Sequence, residues 1–266
     1  MAVGVPRVAV VTGAARGIGA ATVTTLADRG WCVLAIDRAA DDPALPYRLA
    51  TEEQLHSVVA ECAAPDRVAS FVADVRDTAA LQAAVGAAEE RWGGLDAALA
   101  VAGVIAGGAS HWDVEPAQER AVLDVDLGGV LNLARAAVPA LLRRPAPRRG
   151  RFLAVASAAA TRGLPSLAAY CAAKAGVTGF VRALAVELGD TGVTANAVSP
   201  GSTATAMLEE SARLYGLPSA GAFAAQQPVR RLVEPAEVAA MLAHLAAAEA
   251  GAITGAVIPV DGGLSL

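Results

Sequence analysis

Apolar runs of strand length alternate with longer, alanine-rich helical segments along this chain of 266 residues. Most of the strand-like runs are hydrophobic at every position, which is typical of strands buried on both faces of a parallel sheet. The predicted strands are residues 7–11, 32–36, 69–73, 97–100, 152–155, 194–198 and 257–260. The predicted helices are residues 18–29, 79–92, 116–143, 167–188 and 235–247. The alternation predicts one α/β domain over residues 1–266, a Rossmann-type, doubly wound parallel sheet of about seven strands with helices on both faces.

Composition and charge exclude several classes of protein. Hydrophobic residues make up 55% of the chain and charged residues 18%, so a sizeable core forms and disorder is excluded. The net charge of −5 argues against nucleic acid as a partner. The longest uncharged run, residues 191–208, is broken by Asn196 and Pro200, and the N-terminus has no secretory layout, so we expect a cytoplasmic protein outside the membrane. The cysteines and histidines show no metal-ligand spacing.

A glycine-rich turn, residues 12–19, follows the first predicted strand and opens the first predicted helix. Its glycines allow a tight turn and close approach to a pyrophosphate, which the free N–H groups of a helix N-terminus bind. Asp37, at the end of the second strand, can accept both ribose hydroxyls of an adenosine, which favours NAD. Arg16 and Arg38 lie nearby and keep NADP open as an alternative. Asp74 and Val75 follow the third strand, where they can contact the adenine ring.

Lys174 is the only lysine among 21 basic residues, and Tyr170 precedes it by one helical turn. A phenol titrates near 10, so a nearby ammonium is needed if it is to move a proton near neutral pH. A compact ammonium can also bind ribose hydroxyls, which explains why arginine does not replace it. Ser157 follows the fifth strand, and its hydroxyl can hold a substrate oxygen beside the phenol. These three residues predict acid–base catalysis on an alcohol or carbonyl group.

Together these residues resemble the short-chain dehydrogenases/reductases over nearly the whole chain. Residues 12–19 resemble the TGxxxGIG turn of that family, and residues 200–205 resemble its PGxxxT loop. The family's Ser-Tyr-xxx-Lys triad corresponds to Ser157, Tyr170 and Lys174. The resemblance implies that Tyr170 is the acid/base, that Ser157 polarises the substrate, and that Lys174 lowers the tyrosine pKa and holds a ribose. It implies cofactor contacts at these residues: Gly13, Arg16, Gly17, Ile18, Gly19, Asp37, Arg38, Asp74, Val75, Gly103, Tyr170, Lys174, Pro200, Gly201, Thr203 and Thr205.

The chain departs from the family pattern at two places. Residues 100–103 read AVAG where the family usually has NNAG, so Gly103 is retained and the asparagine contacts are lost. Asp126 occupies the position of the usual catalytic asparagine. An ionised Asp126 near Lys174 would strengthen the hold of the lysine on its own proton and weaken its pull on Tyr170, and we assign Asp126 a relay role.

Two further segments resemble the mycofactocin-dependent branch of the family. They are the long connection after Asp37, which contains residues 47–52 (YRLATE), and residues 157–165 (SAAATRGLP). The resemblance implies a retained NAD and electron transfer to mycofactocin, a peptide-derived redox cofactor. An insertion that begins at the ribose-binding carboxylate could also fold over the adenosine and slow its release, and a plain surface loop is the alternative.

The remaining positions bear on substrate and assembly. A second long connection, residues 203–232, holds Met207, Leu208 and Tyr215, which can form an apolar substrate wall, and His111 and Trp112 can border the same pocket. We therefore expect a neutral, largely apolar alcohol or carbonyl substrate. Alanine-rich faces on the helices from residues 116 and 167 predict a homo-oligomer, a dimer or a tetramer. Two alternatives stay open: an ordinary carbonyl reductase with freely exchanging NAD(P)H, and a catalytically weak nucleotide-sensing protein.

Overall fold

The structure is a computed structural model that describes residues 6–266. Seven parallel strands form its sheet, in the order β3-β2-β1-β4-β5-β6-β7. They are β1 (Val8–Thr12), β2 (Cys32–Asp37), β3 (Val68–Val72), β4 (Ala97–Ala100), β5 (Arg151–Val155), β6 (Thr194–Pro200) and β7 (Val257–Val260). The α/β fold predicted from the alternating pattern is confirmed. The strand order reverses between β1 and β4, and a crevice at the carboxyl end of the sheet opens there.

Within the described part of the chain, eight α-helices connect or cover the strands. They are α1 (Gly17–Asp28), α2 (Glu52–Glu61), α3 (Thr78–Trp92), α4 (Pro116–Leu123), α5 (Gly129–Arg143), α6 (Ala168–Glu187), α7 (Ala206–Leu214) and α8 (Pro235–Ala246). Apolar residues of α1, α2 and α8, such as Val23, Leu55 and Leu242, pack on one face of the sheet. Residues of α3, α5 and α6, such as Leu81, Leu133 and Val177, pack on the other. Burial on both faces explains why the strands are hydrophobic at nearly every position.

Several predicted element boundaries are wrong by one or two residues. β1 begins at Val8 and not at Arg7, and β6 continues to Pro200, which pairs with Val260 of β7. Hydrophobicity marks which residues are buried, whereas the backbone hydrogen bonds to neighbouring strands decide where a strand ends. The element bounds 97–100 and 257–260 are confirmed.

The two long connections contain helices that the sequence reasoning missed. α2 begins after Thr51, whose side chain accepts a hydrogen bond from the backbone N–H of Gln54 while the Gln54 side chain accepts one from the N–H of Thr51. This reciprocal capping box was a readable signal. α7 places Met207 and Leu208 on a helix and not in a loop. The rest of the first connection, residues 38–51, is called the adenosine loop below.

The predicted continuous helix 116–143 is interrupted. Residues Asp124–Gly128 form a π-helical turn between α4 and α5. A π turn inserts one extra residue into the helix and rotates the side chains around it, and such turns occur often at functional sites. The whole stretch Pro116–Arg143 is also long and apolar enough to cross a membrane, but half of its most apolar window is buried inside the fold, as in many core helices.

Candidate active site

The glycine-rich turn joins β1 to α1 at the carboxyl end of the sheet. Gly13 has φ +67°, and a Cβ there would lie 2.6 Å from Cα of Ala102 in the loop after β4. A Cβ on Gly19 would overlap the carbonyl oxygen of Gly13. Both positions therefore require glycine. No side chain of the described residues caps the N-terminus of α1. Its first N–H groups are therefore left for an anion, so the turn fits the pyrophosphate of a dinucleotide.

Asp37 ends β2 and faces the same cavity as the glycine turn. Its Oδ2 accepts the backbone N–H of Ala15 at 3.0 Å, and its Oδ1 accepts that of Ala39 at 3.0 Å. Two backbone donors thus orient the carboxylate, and each oxygen keeps a lone pair for a further donor. This arrangement fits a pair of ribose hydroxyls.

Arginines surround the neighbouring Asp74, which follows β3. Its carboxylate accepts hydrogen bonds from Nε and Nη2 of Arg76, the shortest at 2.6 Å, and lies 3.3 Å from Nε of Arg38. These partners hold the pKa of Asp74 below its usual value against the opposing effect of burial. Val75 is buried against Gly129 of α5, where a Cβ would lie 2.6 Å from the valine side chain. Both residues line the smaller cavity, where an adenine contact stays a prediction.

Tyr170 and Lys174 lie side by side on α6. Nζ of Lys174 is 5.6 Å from the centre of the Tyr170 ring and donates a hydrogen bond to the carbonyl oxygen of Val155, the last residue of β5, at 3.1 Å. Ser157 follows this strand end, and its Oγ accepts the backbone N–H of Ala159 at 3.1 Å. Helix spacing and a strand end thus bring the three predicted side chains to the wall of one cavity.

Asp126 lies beneath this group in the π-helical turn, with no exposed surface. Its Oδ1 accepts the backbone N–H of Val104 at 2.8 Å, and its Oδ2 lies 3.4 Å from Nζ of Lys174 and has no hydrogen-bond partner among residues 6–266. Gly103 packs against both charges, because a Cβ there would lie 3.5 Å from the Oδ2 and from the Nζ. The carboxylate therefore faces the lysine directly from inside the fold.

Burial and the neighbouring charges act on the pKa of Tyr170 in opposite directions. Burial raises the pKa of Tyr170 above its ordinary value, the Lys174 ammonium and the Ser157 hydroxyl lower it, and Asp126 raises it again, so that the net shift is upward. Burial works against the ammonium of Lys174, but Asp126 outweighs it and raises the lysine pKa. Burial also raises the pKa of Asp126. Lys174 thus lowers the pKa of Tyr170 in the direction that the sequence implied, but burial and Asp126 outweigh this effect.

The loop after β6 closes the site from the opposite side. The side-chain oxygen of Gln227 accepts the backbone N–H of Ser202 at 2.8 Å, which anchors the loop just after Gly201. Thr205 caps α7 by accepting the N–H of Leu208 at 3.3 Å. Its Cγ2 would be 3.2 Å from a Cβ on Gly17 of the glycine turn. The loop thus meets the dinucleotide turn across the crevice.

Two cavities form one cleft at the carboxyl end of the sheet. The smaller, about 160 Å³, lies along the glycine turn and Asp37, and the larger, about 500 Å³, lies beside Tyr170. Every residue predicted to act in catalysis or to contact the cofactor lines one or both cavities, with the exception of Asp126. Those that line the smaller cavity are Gly13, Arg16, Gly17, Ile18, Gly19, Asp37, Arg38, Asp74, Val75, Gly103 and Thr205. Those that line the larger are Ile18, Gly103, Ser157, Tyr170, Lys174, Pro200, Gly201, Thr203 and Thr205.

The larger cavity has a mainly apolar wall. Met207, Leu208 and Tyr215 line it as the sequence predicted, together with Leu164, Leu217, Phe223 and Leu264, which sequence reasoning missed. His111 and Trp112 do not line either cavity, and Trp112 is 82% exposed, so their predicted place beside the pocket is wrong. They belong to a short, solvent-exposed 3-10 turn, His111–Asp113.

Tyr47 of the adenosine loop was also missed as a site residue. Its hydroxyl oxygen accepts the backbone N–H of Ile105 at 3.0 Å, and the residue lines the smaller cavity. Burial raises the pKa of this phenol, which stays protonated. An aromatic residue within a polar insertion was the available signal. Among residues 6–266, no group of three or more His, Cys, Asp or Glu is placed to hold a metal ion.

Comparison with known proteins agrees with this fold. Residues 13–265 match the family model described as enoyl-(acyl carrier protein) reductase. The chain is 37% identical to the short-chain reductase protein NovJ of Streptomyces niveus, with 99% of this chain and 95% of that protein covered. It is also 37% identical to a cis-4-hydroxycyclohexanecarboxylate dehydrogenase of Sinomonas cyclohexanicum, with 97% of this chain and 96% of that protein covered.

A solved structure shows the same architecture. The carveol dehydrogenase of Mycobacterium avium in complex with NAD superimposes with a TM-score of 0.91 at 31% identity, with 97% of each chain covered. The chain belongs to the short-chain dehydrogenase/reductase family. It is accordingly an oxidoreductase of the dehydrogenase/reductase type.

Proposed function

We propose that the protein interconverts neutral, cyclic secondary alcohols and their ketones, with NAD as cofactor and with Ser157, Tyr170 and Lys174 at the reacting centre. One observation carries this proposal: Tyr170 and Lys174 lie side by side in the larger cavity of the cleft, which Ile18, Gly103 and Thr205 join to the cavity of the glycine turn. A substrate oxygen beside the phenol and a cofactor along the glycine turn would then meet at this junction.

NAD is the cofactor that the cleft fits. The glycine turn and the N-terminus of α1 would hold the pyrophosphate, Asp37 the adenosine ribose, and Lys174 the second ribose. When bound, NAD supplies the hydride acceptor, or NADH the donor, at the nicotinamide ring. Related chains support this choice, since the carveol dehydrogenase was solved with NAD.

The protein residues handle the proton on the substrate oxygen. Tyr170 would take that proton when an alcohol is oxidised and return it when a ketone is reduced. Ser157 would donate its hydroxyl hydrogen to the same oxygen and hold it against the phenol. Lys174 favours the phenolate through its positive charge, as its effect on the pKa of Tyr170 indicates.

The substrate class follows from the wall of the larger cavity. Its residues are mainly apolar, and the guanidinium of Arg162, which also lines it, donates to the carbonyl oxygen of Leu264 at 2.7 Å. A cavity of about 500 Å³ has room for the nicotinamide end of the cofactor together with a substituted ring of six carbons. Two relatives support a cyclic substrate by their names, the carveol and the cis-4-hydroxycyclohexanecarboxylate dehydrogenases.

We propose a positioning role for Asp126 in place of the relay role expected from the sequence, because it is fully buried and lines neither cavity. Its carboxylate holds the ammonium of Lys174 at 3.4 Å while the carbonyl of Val155 binds it at 3.1 Å. These two contacts fix Lys174 against the floor of the cleft. The negative charge also raises the pKa of Tyr170, so the assignment implies a more alkaline working range for alcohol oxidation than an asparagine there would allow.

The proposal includes an NAD that stays bound between turnovers and whose reduced form mycofactocin would re-oxidise. The contact between Tyr47 and Ile105 supports retention, because it ties the adenosine loop to the loop after β4 across the smaller cavity. Within the loop, Asp41 pairs with Arg48 at 2.7 Å and accepts the N–H of Leu49 at 2.8 Å. A loop held in this way would have to open before the adenosine could leave. We propose further that the enzyme is cytoplasmic and homo-oligomeric, a tetramer or a dimer.

Turnover assays test the proposal against its alternatives. The purified protein is incubated with carveol, cyclohexanol and a linear secondary alcohol, with either added NAD or an artificial electron acceptor alone. Oxidation of the cyclic alcohols with the acceptor and no added NAD supports a retained cofactor. Activity that depends on added NAD(P) supports an ordinary reductase, and nucleotide binding without turnover of any alcohol or ketone supports a sensing protein.

A further inference from the structure

Four charged side chains form an ionic cluster at the adenosine end of the cleft, here called the arginine–aspartate cluster. Its members are Arg38, which follows β2, Asp42 of the adenosine loop, and Asp74 and Arg76, which follow β3. Oδ2 of Asp42 lies 2.6 Å from Nη1 of Arg38 and 2.9 Å from Nη1 of Arg76. Oδ2 of Asp74 lies 2.6 Å from Nη2 of Arg76 and 3.3 Å from Nε of Arg38. Each arginine is therefore shared between two carboxylates.

Asp42 is the buried member of this cluster. Its side chain is 4% exposed, against 28% for Arg38 and 30% for Arg76. Its Oδ1 accepts the backbone N–H of Ala44 at 2.9 Å, which leaves its Oδ2 to both guanidiniums. Burial works against the charged form, but the Ala44 hydrogen bond and the two arginines outweigh it and lower the pKa of Asp42. Asp42 is thus an ionised partner for both arginines at neutral pH.

Arg38, which pairs with Asp42, lies where the protein would distinguish NAD from NADP. Arg38 directly follows Asp37, the carboxylate proposed to hold the ribose, and both line the smaller cavity with Asp42. NADP differs from NAD by a phosphate on that ribose, and arginine binds phosphate through two parallel hydrogen bonds. Arg16, which also lines this cavity, donates to the carbonyl of Arg48 at 3.4 Å.

The charges of the cluster cancel. Two guanidiniums and two carboxylates leave no net positive charge, and Asp37 adds a negative charge beside the ribose position. A 2′-phosphate would have to compete with Asp42 and Asp74 for Arg38, and displacing Asp42 would leave a buried carboxylate with one partner fewer. The adenosine loop thus supplies the carboxylate, Asp42, that pairs with Arg38.

We propose that Asp42 is a cofactor-specificity residue, which withholds Arg38 and Arg76 from the 2′-phosphate of NADP and so favours NAD together with Asp37. This inference rests on the proposed function, because it needs a dinucleotide in the smaller cavity. It assigns to the adenosine loop a second role besides slowing release of the cofactor.

The test compares the affinities of NADH and NADPH in nucleotide-free protein, measured by nicotinamide fluorescence titration. Asp42→Asn removes the charge, keeps the size of the side chain and leaves Asp37 in place. We expect the NADPH-to-NADH affinity ratio to rise about tenfold or more and the gain to shrink as salt is added. Asp42→Asn with Arg38→Gln should return the ratio toward that of the wild type, since the freed arginine is then absent.

Asp41→Asn is the matched control. It removes the same charge from the neighbouring position, where Asp41 pairs with the exposed Arg48. The affinity ratio in this variant should stay within about twofold of the wild type. An equal rise in both variants would overturn the proposal, because it would show a general effect of loop charge.

Two further outcomes would also contradict the proposed role of Asp42 in cofactor specificity. An unchanged ratio in Asp42→Asn with NADH binding retained would show that Asp42 does not select between the nucleotides. Loss of NADH binding with no gain for NADPH would show that Asp42 builds the loop and does not choose the cofactor. Failure of the wild type to bind NADH would contradict the proposed function itself, which distinguishes it from a failure of this inference.

Discussion

The carboxylate of Asp126 lies 3.4 Å from the ammonium of Lys174, and both side chains are buried. The contact joins the π-helical turn between α4 and α5 to α6, beneath the phenol of Tyr170. The only lysine of the chain is therefore part of an ion pair. The negative charge of Asp126 also raises the pKa of Tyr170. The reactivity of the proposed acid/base therefore depends on a residue that does not line the cleft.

Replacing Tyr170 with Phe should remove most of the turnover and leave cofactor binding intact. The change deletes the hydroxyl that would carry the proton, and general acid–base catalysis contributes about 10²- to 10⁴-fold in rate. Steady-state kinetics and NADH titration measure the two effects. Tyr215→Phe is the control, because it deletes a hydroxyl that donates to the carbonyl of Pro165 in the same cavity. Equal activity in wild type and Tyr170→Phe would refute the assignment.

Replacing Asp126 with Asn should move the pH profile of alcohol oxidation toward lower pH. The negative charge of Asp126 raises the pKa of Tyr170, so its removal lowers that pKa and the phenolate forms at a lower pH. The logarithm of kcat/KM plotted against pH measures the shift. Asp124→Asn, an exposed position in the same π-helical turn, should leave the profile in place. A shift toward higher pH in Asp126→Asn would contradict the argument.

Replacing Lys174 with Met should destabilise the protein by about 3–5 kcal/mol, because it leaves the Asp126 carboxylate buried without its counter-charge. Urea unfolding of the variant measures the loss. Burial already raises the pKa of Asp126. Without Lys174, the carboxyl group of Asp126 binds a proton more tightly in the folded state than in the unfolded chain. The free energy of unfolding should therefore recover as the pH falls through the pKa of Asp126 in the folded state.

The double variant Lys174→Met with Asp126→Asn tests the source of that loss. The neutral amide carries no buried charge, so the double variant should be more stable than Lys174→Met by itself. Arg143→Met breaks an exposed pair with Glu89 and should cost much less than Lys174→Met. If the double variant were no more stable than Lys174→Met, the loss would come from the packing of the lysine stem and not from the charge.

Replacing Gly19 with Ala should lower the affinity for NADH about tenfold or more, because the new Cβ overlaps the carbonyl of Gly13 and displaces the turn. Fluorescence titration measures this affinity. Gly86→Ala is the matched control, since Gly86 lies within α3 and a Cβ there meets no atom within 4 Å. That variant should gain about 0.5–1 kcal/mol of stability and bind NADH as the wild type does. Equal affinity in the two variants would contradict the assignment of the turn.

Replacing Tyr47 with Phe should speed the release of NADH about tenfold, because the Ile105 N–H loses its partner and the adenosine loop loses a tie across the cavity. Release is followed after dilution into excess unlabelled NAD. Tyr215→Phe, far from this loop in sequence, should not change the release rate. Unchanged release in Tyr47→Phe would show that another contact holds the loop closed.

Local patterns predicted much of this protein. The apolar runs of β1 to β7 indicated a parallel sheet because strands covered on both faces need hydrophobic side chains at nearly every position. The glycines at 13, 17 and 19 indicated the dinucleotide turn because the backbone leaves no room for a Cβ at 13 and 19 and has a positive φ at 17. The spacing of Tyr170 and Lys174 placed both on one helix face because a helix repeats every 3.6 residues.

Contacts between distant segments were decided only by the tertiary structure. The distance between Asp126 and Lys174 depends on a π-helical turn, which periodicity cannot indicate because it breaks the helical repeat. Asp42 meets Arg38 and Arg76 only because neighbouring β2 and β3 end at the same edge of the sheet. The net direction of the Tyr170 pKa likewise depends on burial and on the Asp126 charge. A sequence determines which groups a chain carries, whereas their charges act through distances that exist only after folding.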